Sequence, residues 1–191
     1  MKLKKSLLEK LLNYLNVEKG AKLRIMVSYY HNKKLNLNLL DDYNVELWVD
    51  SGAFTAFKKG ILLDVADYES YIKEYEPYIK HYMAIDVINN ELYTLHNYFW
   101  MIERNFKPIP VLHKDDSIEL MNYYDNTTNF IALGCREPFK NDMDRHLFIY
   151  KIQHLFPDNK YHCLGYLEGG IIDNHNWNSC DSNVWQIQAT R

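Results

Sequence analysis

Only three cysteines occur in this chain, Cys135, Cys163 and Cys180, and no two of them form a C-x-x-C pair. That argues against a structural zinc of the usual thiolate type, and no metal site is expected. Each thiol sits in a strand-like run, where small buried sulfurs are common. An odd count with no signal peptide fits a reducing cytoplasm. No apolar run approaches the length that crosses a bilayer, so no membrane partner is expected. There is no glycine loop of the nucleotide-hydrolase type, so no ATP use or other cofactor is expected. Internal repeats, low-complexity tracts and linkers are all missing. Positive charge is not in excess: 22 Lys and Arg stand against 25 Asp and Glu, a formal net charge of −3. This argues against a strongly basic, nonspecific polyanion coat while leaving room for a local basic strip. The clusters Lys2, Lys4, Lys5 and Lys58, Lys59 read as solvated faces, with phosphate contact as the alternative.

What is present suggests one globular domain over residues 1–191, with 47% hydrophobic residues. Sixteen tyrosines bring the aromatic share to 15%. These rings build a large core or supply stacking surfaces, and the core is the expectation for any single ring. Six segments share one design, an apolar run ending in a polar residue or glycine. They are LWVDSGAF (47–54), YMAIDVI (82–88), PIPVLH (108–113), FIALGC (130–135), YHCLGY (161–166) and NSCDSNVW (178–185). Buried parallel strands read as continuous apolar runs, and parallel α/β folds hold ligands at the carboxyl ends of strands. Asp50, Asp86 and Asp181 are therefore expected to point into one cavity.

The spacing predicts strands at 22–29, 46–50, 81–86, 109–113, 130–134, 161–165 and 179–184. It predicts helices at 5–16, 68–80 (capped by Asp67), 91–105, 117–124 and 142–156, the last stopped by Pro157. Strands alternating with helices imply right-handed βαβ units and a mostly parallel sheet. Seven strands approach a (β/α)8 TIM-like barrel, which usually needs about 250 residues. The expected fold is therefore α/β, a reduced barrel with short loops or a missing element. An open doubly wound sheet is the alternative.

Asp50-Ser51-Gly52-Ala53-Phe54 resembles the Asp-Ser-Gly-Gly-Phe/Tyr motif of the tRNA-guanine transglycosylase superfamily, with Ala53 in place of the second glycine. Asp86 in MAIDVI resembles that family's base-recognising aspartate. Gly134 and Gly165 resemble its glycine-bearing strand ends, and Asp181 its nucleophile. Asp181-Ser182-Asn183-Val184-Trp185 is similar to the late Asp-Ser-x-x-Trp pattern of the short phage and bacterial branch that places deazapurines into DNA. The motifs span residues 47–185. The chain departs from the tRNA enzymes in lacking their three-cysteine, one-histidine zinc element, which favours DNA over tRNA as partner.

The resemblance implies a pentosyltransferase that exchanges guanine for a 7-deazaguanine such as preQ0 in nucleic acid. Asp181 is then the nucleophile and Asp50 the general acid/base, by the logic of retaining glycoside hydrolysis. Asp86 would accept from the N1–H and amino edge of a guanine-like base. Ser51 and Gly52 would offer backbone donors and room for a flat ring. His113 and Gln186 are candidate polar walls, Gly134 and Gly165 candidate site glycines, and Phe54, Tyr82 and Trp185 candidate stacking surfaces. A target in duplex DNA must first leave the stack.

Each residue also has a plain structural reading. Strand-end aspartates often cap loops, the glycines can serve turns, and His113 can be structural. His162 and His175 have no partner at metal spacing. Two further functions stay open: a nucleoside or base N-glycoside hydrolase, and a non-catalytic subunit of a larger transglycosylase. The expected partners are nucleic acid and a free 7-deazapurine base, with an accessory DNA-handling protein or a second copy of the chain as further candidates. The expected location is cytoplasmic, the host cytoplasm if the chain is phage-encoded.

Overall fold

The computed structural model describes residues 23–35, 44–136, 139–166 and 168–181. In chain order these form β1 (Leu23–Ser28), β2 (Val45–Asp50), α1 (Ala53–Lys58), α2 (Val65–Glu74), β3 (Ile79–Tyr82), α3 (Glu91–Ile102) and β4 (Val111–Leu112). Then follow α4 (Ile118–Thr127), β5 (Phe130–Gly134), α5 (Asp142–Leu155), β6 (Lys160–Leu164), α6 (Gly169–Asp173) and β7 (Ser179–Cys180). Every strand pair is parallel. The order is β1-β2-β3 in one sheet and β4-β5-β6-β7 in the other. This is an α/β fold with parallel sheets of three and four strands, and no closed barrel is formed among the described residues. The helix expected over 5–16, the Lys2, Lys4 and Lys5 cluster, and the chain past Asp181, with Trp185 and Gln186, lie outside the described residues.

Two differences from expectation have local causes. The third strand begins at Ile79 and ends at Tyr82, so Asp86 stands in a loop rather than at the last strand position. The second helix starts earlier because Asp64, not Asp67, is its cap. Asp64 accepts from the backbone N–H groups of Ala66 (2.8 Å) and Asp67 (2.9 Å), satisfying two orphan donors of the first turn.

The described residues divide into two compact units. One runs as far as Ile85 and adds Phe99–Pro108; the other comprises Asp86–Tyr98 and the chain from Ile109 onward. In the first, register and period-two alternation sort the sheet into two faces. Val27 lies opposite Val49, and Ile25 opposite Leu47. Val27, Leu47 and Val49 join Tyr29, Tyr68, Tyr71, Ile72, Tyr75, Ile85 and Met101 in a single core. Tyr29 meets Tyr68 and Tyr71 at ring centroid distances of 4.9 and 5.0 Å. The Tyr68 hydroxyl donates to the Met83 carbonyl at 2.9 Å. Much of the tyrosine excess is therefore spent on packing here. The opposite face carries the pairs Met26–Trp48 and Ser28–Asp50.

The second unit sorts in the same way. Leu112, Leu133, Cys163 and Cys180 share one face through their register, and Ile131, Cys135 and Tyr161 join them by alternation. That face meets α5: the Tyr161 hydroxyl donates to the Phe156 carbonyl at 2.7 Å, and Arg145 Nε donates to the Cys135 carbonyl at 2.7 Å. The other face holds Val111, Ala132, His162 and Ser179 in one row. One step further along lie His113, Gly134, Leu164 and Asp181, at the carboxyl edge of the sheet. All three cysteines are free thiols.

Candidate active site

Asp181 directly follows β7, and its backbone N–H still donates to the Cys163 carbonyl at 3.2 Å. Its side chain therefore leaves the sheet on the face opposite α5. Asp181 Oδ1 accepts from the Gly165 N–H at 2.7 Å and lies 3.2 Å from His162 Nε2. Gly165 has φ +76, a left-handed conformation open to glycine at little cost. This turns its N–H onto the carboxylate, so Gly165 acts here through its backbone. Among the described residues both hydrogen bonds of the carboxylate fall on Oδ1. The Asp181 side chain is one-quarter exposed, whereas that of His162 is only 2% exposed. The second nitrogen of His162, Nδ1, lies 2.8 Å from Ser179 Oγ. Ser179 and Asp181 are two residues apart on one strand and so project to the same face, with the imidazole bridging them.

His113 follows β4 on the same edge. Its Nε2 lies 2.7 Å from Asp86 Oδ2, and Asp86 is 6% exposed. Asp116 closes the turn by accepting from the His113 N–H at 2.7 Å. Burial presses the His113 imidazole toward its neutral form. The hydrogen bond and charge of Asp86, with Asp116 and Asp115 behind it, outweigh that and hold its pKa above the ordinary histidine value. Burial holds Asp116 above the usual carboxylate range, against the pull of its contacts with His113. Glu91 fixes the next turn by accepting from the Ser117 N–H (2.7 Å) and hydroxyl (2.6 Å). Ser117 in turn caps α4 by accepting from the Leu120 N–H at 3.1 Å.

Gly134 is neither a turn residue nor a residue of positive φ. It is the place where the His113 ring rests: a Cβ there would come within 2.5 Å of Nδ1. Its role in this edge is to admit the imidazole that holds Asp86.

The remaining motif lies in the first unit. Asp50 ends β2 and its carbonyl accepts from the Tyr29 N–H at 2.7 Å. Ser51 is fully buried, and its hydroxyl accepts from the Ala53 N–H at 3.2 Å, which fastens the start of α1. Gly52 has φ +80, and the space a Cβ would need is taken by Tyr30 and Ser28. The room at Gly52 thus serves the neighbouring strand end rather than a ring lying on that side. Phe54 lies under Lys58, whose ammonium is 4.3 Å from the ring centroid. Lys59 sits 5.1 Å from the Tyr30 ring centroid, so both lysines of this cluster pack over aromatic faces. Tyr82 accepts from the Lys107 N–H at 2.7 Å and meets Phe106 edge-on, a structural placement.

Motif spacing did not single out His162 or Ser179 as site residues. Their signal was parity: His162 stands three residues before Gly165 and Ser179 two before Asp181, so the pair becomes visible once β6 and β7 are placed in register. His175 pairs with His146, Nε2 to Nδ1, at 2.7 Å. Among the described residues no three His, Cys, Asp or Glu side chains are grouped to hold a metal ion. No described helix is long and apolar enough to cross a membrane.

No protein family, curated protein or solved structure matches this chain.

Proposed function

We propose that this chain is an N-glycosyl base-exchange enzyme that replaces guanine with a 7-deazaguanine in nucleic acid, DNA in preference to tRNA, through Asp181 as nucleophile. The observation that carries the reading is the setting of Asp181. It stands at the carboxyl end of a parallel strand, held by the Gly165 N–H and by His162 through one oxygen. This leaves the other oxygen to meet a sugar carbon. A carboxylate that is fixed and only partly exposed suits attack on an oxocarbenium-like centre.

Asp86 supports the same reading. It is anchored to the other end of the same sheet edge through His113, three strand spacings from Asp181. That is roughly 14 Å across a flat parallel sheet, and less across a curved one. A purine nucleoside needs a separation of this order between a group beneath C1′ and a group on its N1–H and amino edge. Strand order also agrees with a reduced (β/α)8 barrel. Both sheets run strictly in sequence order, as a singly wound barrel does, whereas a doubly wound sheet reverses order at its switch point. Asp50 is assigned the proton shuttle by the resemblance of its Asp-Ser-Gly motif.

The reaction balances without a cofactor. Asp181 Oδ2 forms a bond to C1′ as the C1′–N9 bond breaks, and the electron pair leaves on guanine. The departing base takes a proton from the Asp50 carboxyl group. The incoming 7-deazaguanine returns a proton to Asp50 as its N9 attacks C1′, and the Asp181 carboxylate is released.

The test is to incubate the protein with DNA or tRNA and labelled guanine or preQ0. Label is expected to enter DNA, and D181N is expected to abolish entry while the protein stays folded. Release of free base with none entering selects the hydrolase. Binding without turnover, unchanged in D181N, selects a non-catalytic subunit.

A further inference from the structure

We propose that Ser179 and His162 form a fixed relay that presents Asp181 to its substrate through Oδ2 alone, with His162 as a positioning residue and Ser179 holding its second nitrogen. The proposal rests on the reading of Asp181 as nucleophile and adds to it the proton arrangement of His162 and the part played by Ser179.

The argument begins with hydrogen-bond inventory. An ionised carboxylate only accepts, so His162 Nε2, 3.2 Å from Asp181 Oδ1, must carry a proton to bond there. A neutral imidazole then has a lone pair on Nδ1. Ser179 Oγ lies 2.8 Å from that nitrogen, and a hydroxyl can turn to donate. The chain of donors thus runs from the Ser179 O–H to His162 Nδ1, and from the His162 Nε2–H to Asp181 Oδ1. The opposite tautomer would set a lone pair against the carboxylate. The acceptor-only carboxylate selects between the two, and the Ser179 hydroxyl, able to turn and donate, satisfies the nitrogen left over and holds the ring in place.

The surroundings make this arrangement stiff. His162 is 1% exposed, and its strand is paired on both sides, to Ala132 of β5 and to Ser179 of β7. The Gly165 N–H meets the same oxygen at 2.7 Å. Two donors from β6 and its turn therefore converge on Oδ1. The plane of the carboxylate is held, and among the described residues Oδ2 has no hydrogen bond. Holding one oxygen in two bonds and leaving its twin to react removes the rotational search for an attack geometry.

The experiment uses the full chain with 15N-labelled histidine. The expected spectrum shows His162 as the Nε2–H tautomer, with Nδ1 unprotonated. S179A is the mild variant: Asp181 still demands the Nε2–H tautomer, but Nδ1 loses the Ser179 hydroxyl, so its 15N resonance is expected to shift. It should also lower kcat for base exchange roughly 10- to 100-fold, the scale lost when an outer partner of a working group is removed, with KM unchanged. H162Q keeps an N–H donor and should retain more activity than H162L, provided both fold. An Nδ1–H tautomer in the unaltered protein overturns the proposal, as does an S179A protein with the original Nδ1 resonance and rate. If no base exchange occurs with any substrate, the reading of Asp181 fails. The relay is then decided by the spectra alone, supported by an Nε2–H tautomer whose Nδ1 resonance S179A shifts and overturned by one that it does not.

Discussion

The His113 imidazole lies against the α-carbon of Gly134, so closely that a Cβ on residue 134 would stand 2.5 Å from Nδ1 and 2.9 Å from Cε1. The ring cannot simply step aside, because its Nε2 is bonded to the buried Asp86 carboxylate at 2.7 Å. G134A should therefore act as an overpacking change at a strand end whose φ any residue tolerates. We expect a loss of about 1–3 kcal/mol, measured by urea unfolding, and a fall in the His113 pKa as the Asp86 bond is stretched. Unchanged stability together with an unchanged His113 titration would show that the ring does not rest there.

The same pair gives the protein a pH dependence of definite sign. The folded His113 pKa is raised because Asp86, Asp116 and Asp115 outweigh the effect of burial. The folded state thus binds the proton more tightly than the unfolded chain does. The stabilisation is fully present below the unfolded imidazole value, about 6.5. It is lost as pH rises through the higher folded value. Urea midpoints taken from pH 5 upward should show this decline in the unaltered protein. D86N should flatten it, and a D86N profile parallel to the original would place its source elsewhere.

Gly52 answers to two constraints at once. Its φ of +80 is costly for any residue with a side chain, and a Cβ would collide with Tyr30 and come within 2.5 Å of Ser28 Oγ. G52A is expected to destabilise by more than the roughly 0.4–1 kcal/mol that a Gly-to-Ala change gives, with the opposite sign, where the backbone permits it. It should also loosen α1, which Ser51 fastens through the Ala53 N–H. Hydrogen exchange at Ala53 and Ala56 would report this, and exchange no faster than in the original protein would refute it.

These residues show what can be read from a chain and what cannot. Strand positions were legible because a parallel strand buried on both faces is a continuous apolar run, as in FIALG at β5. Asp50 was legible as a strand end for the same reason, whereas Asp181, expected inside a strand over 179–184, directly follows β7 at Ser179–Cys180. The cap of α2 was misjudged by three residues, since Asp64 and Asp67 offer the same side chain and only backbone geometry separates them. The purpose of Gly134 was not legible, because the ring it admits comes from His113, 21 positions earlier. His162 was hidden for a related reason. Its partnership with Ser179 and Asp181 exists only through the pairing of β6 with β7, a non-local relation that no spacing along the chain encodes.

Two buried tyrosines of the second unit make a matched test of hydrogen-bond cost. Tyr161 is 1% exposed and its hydroxyl donates to the Phe156 carbonyl at 2.7 Å. Tyr124 is fully buried against Tyr98, with ring centroids 5.1 Å apart, and its hydroxyl has no hydrogen-bond partner among the described residues. Replacing tyrosine by phenylalanine keeps the ring and removes only the oxygen. Y161F forfeits a made bond, which ties β6 to the end of α5, and should cost about 0.5–1.5 kcal/mol. Y124F removes a group that lost its water on folding and gained nothing in exchange, so it should be neutral or stabilising by about 1 kcal/mol. Burial, followed by the nearby charges of Asp116 and Asp86, raises the Tyr124 pKa well above the ordinary phenol value. The oxygen is therefore a neutral dipole across the accessible pH range, and its removal should shift no titration near neutrality. Both variants are read by the same denaturation experiment. If Y124F proves the more destabilising of the two, the hydroxyl has a partner after all, and the packing around Asp116 and Asp86 must be redrawn.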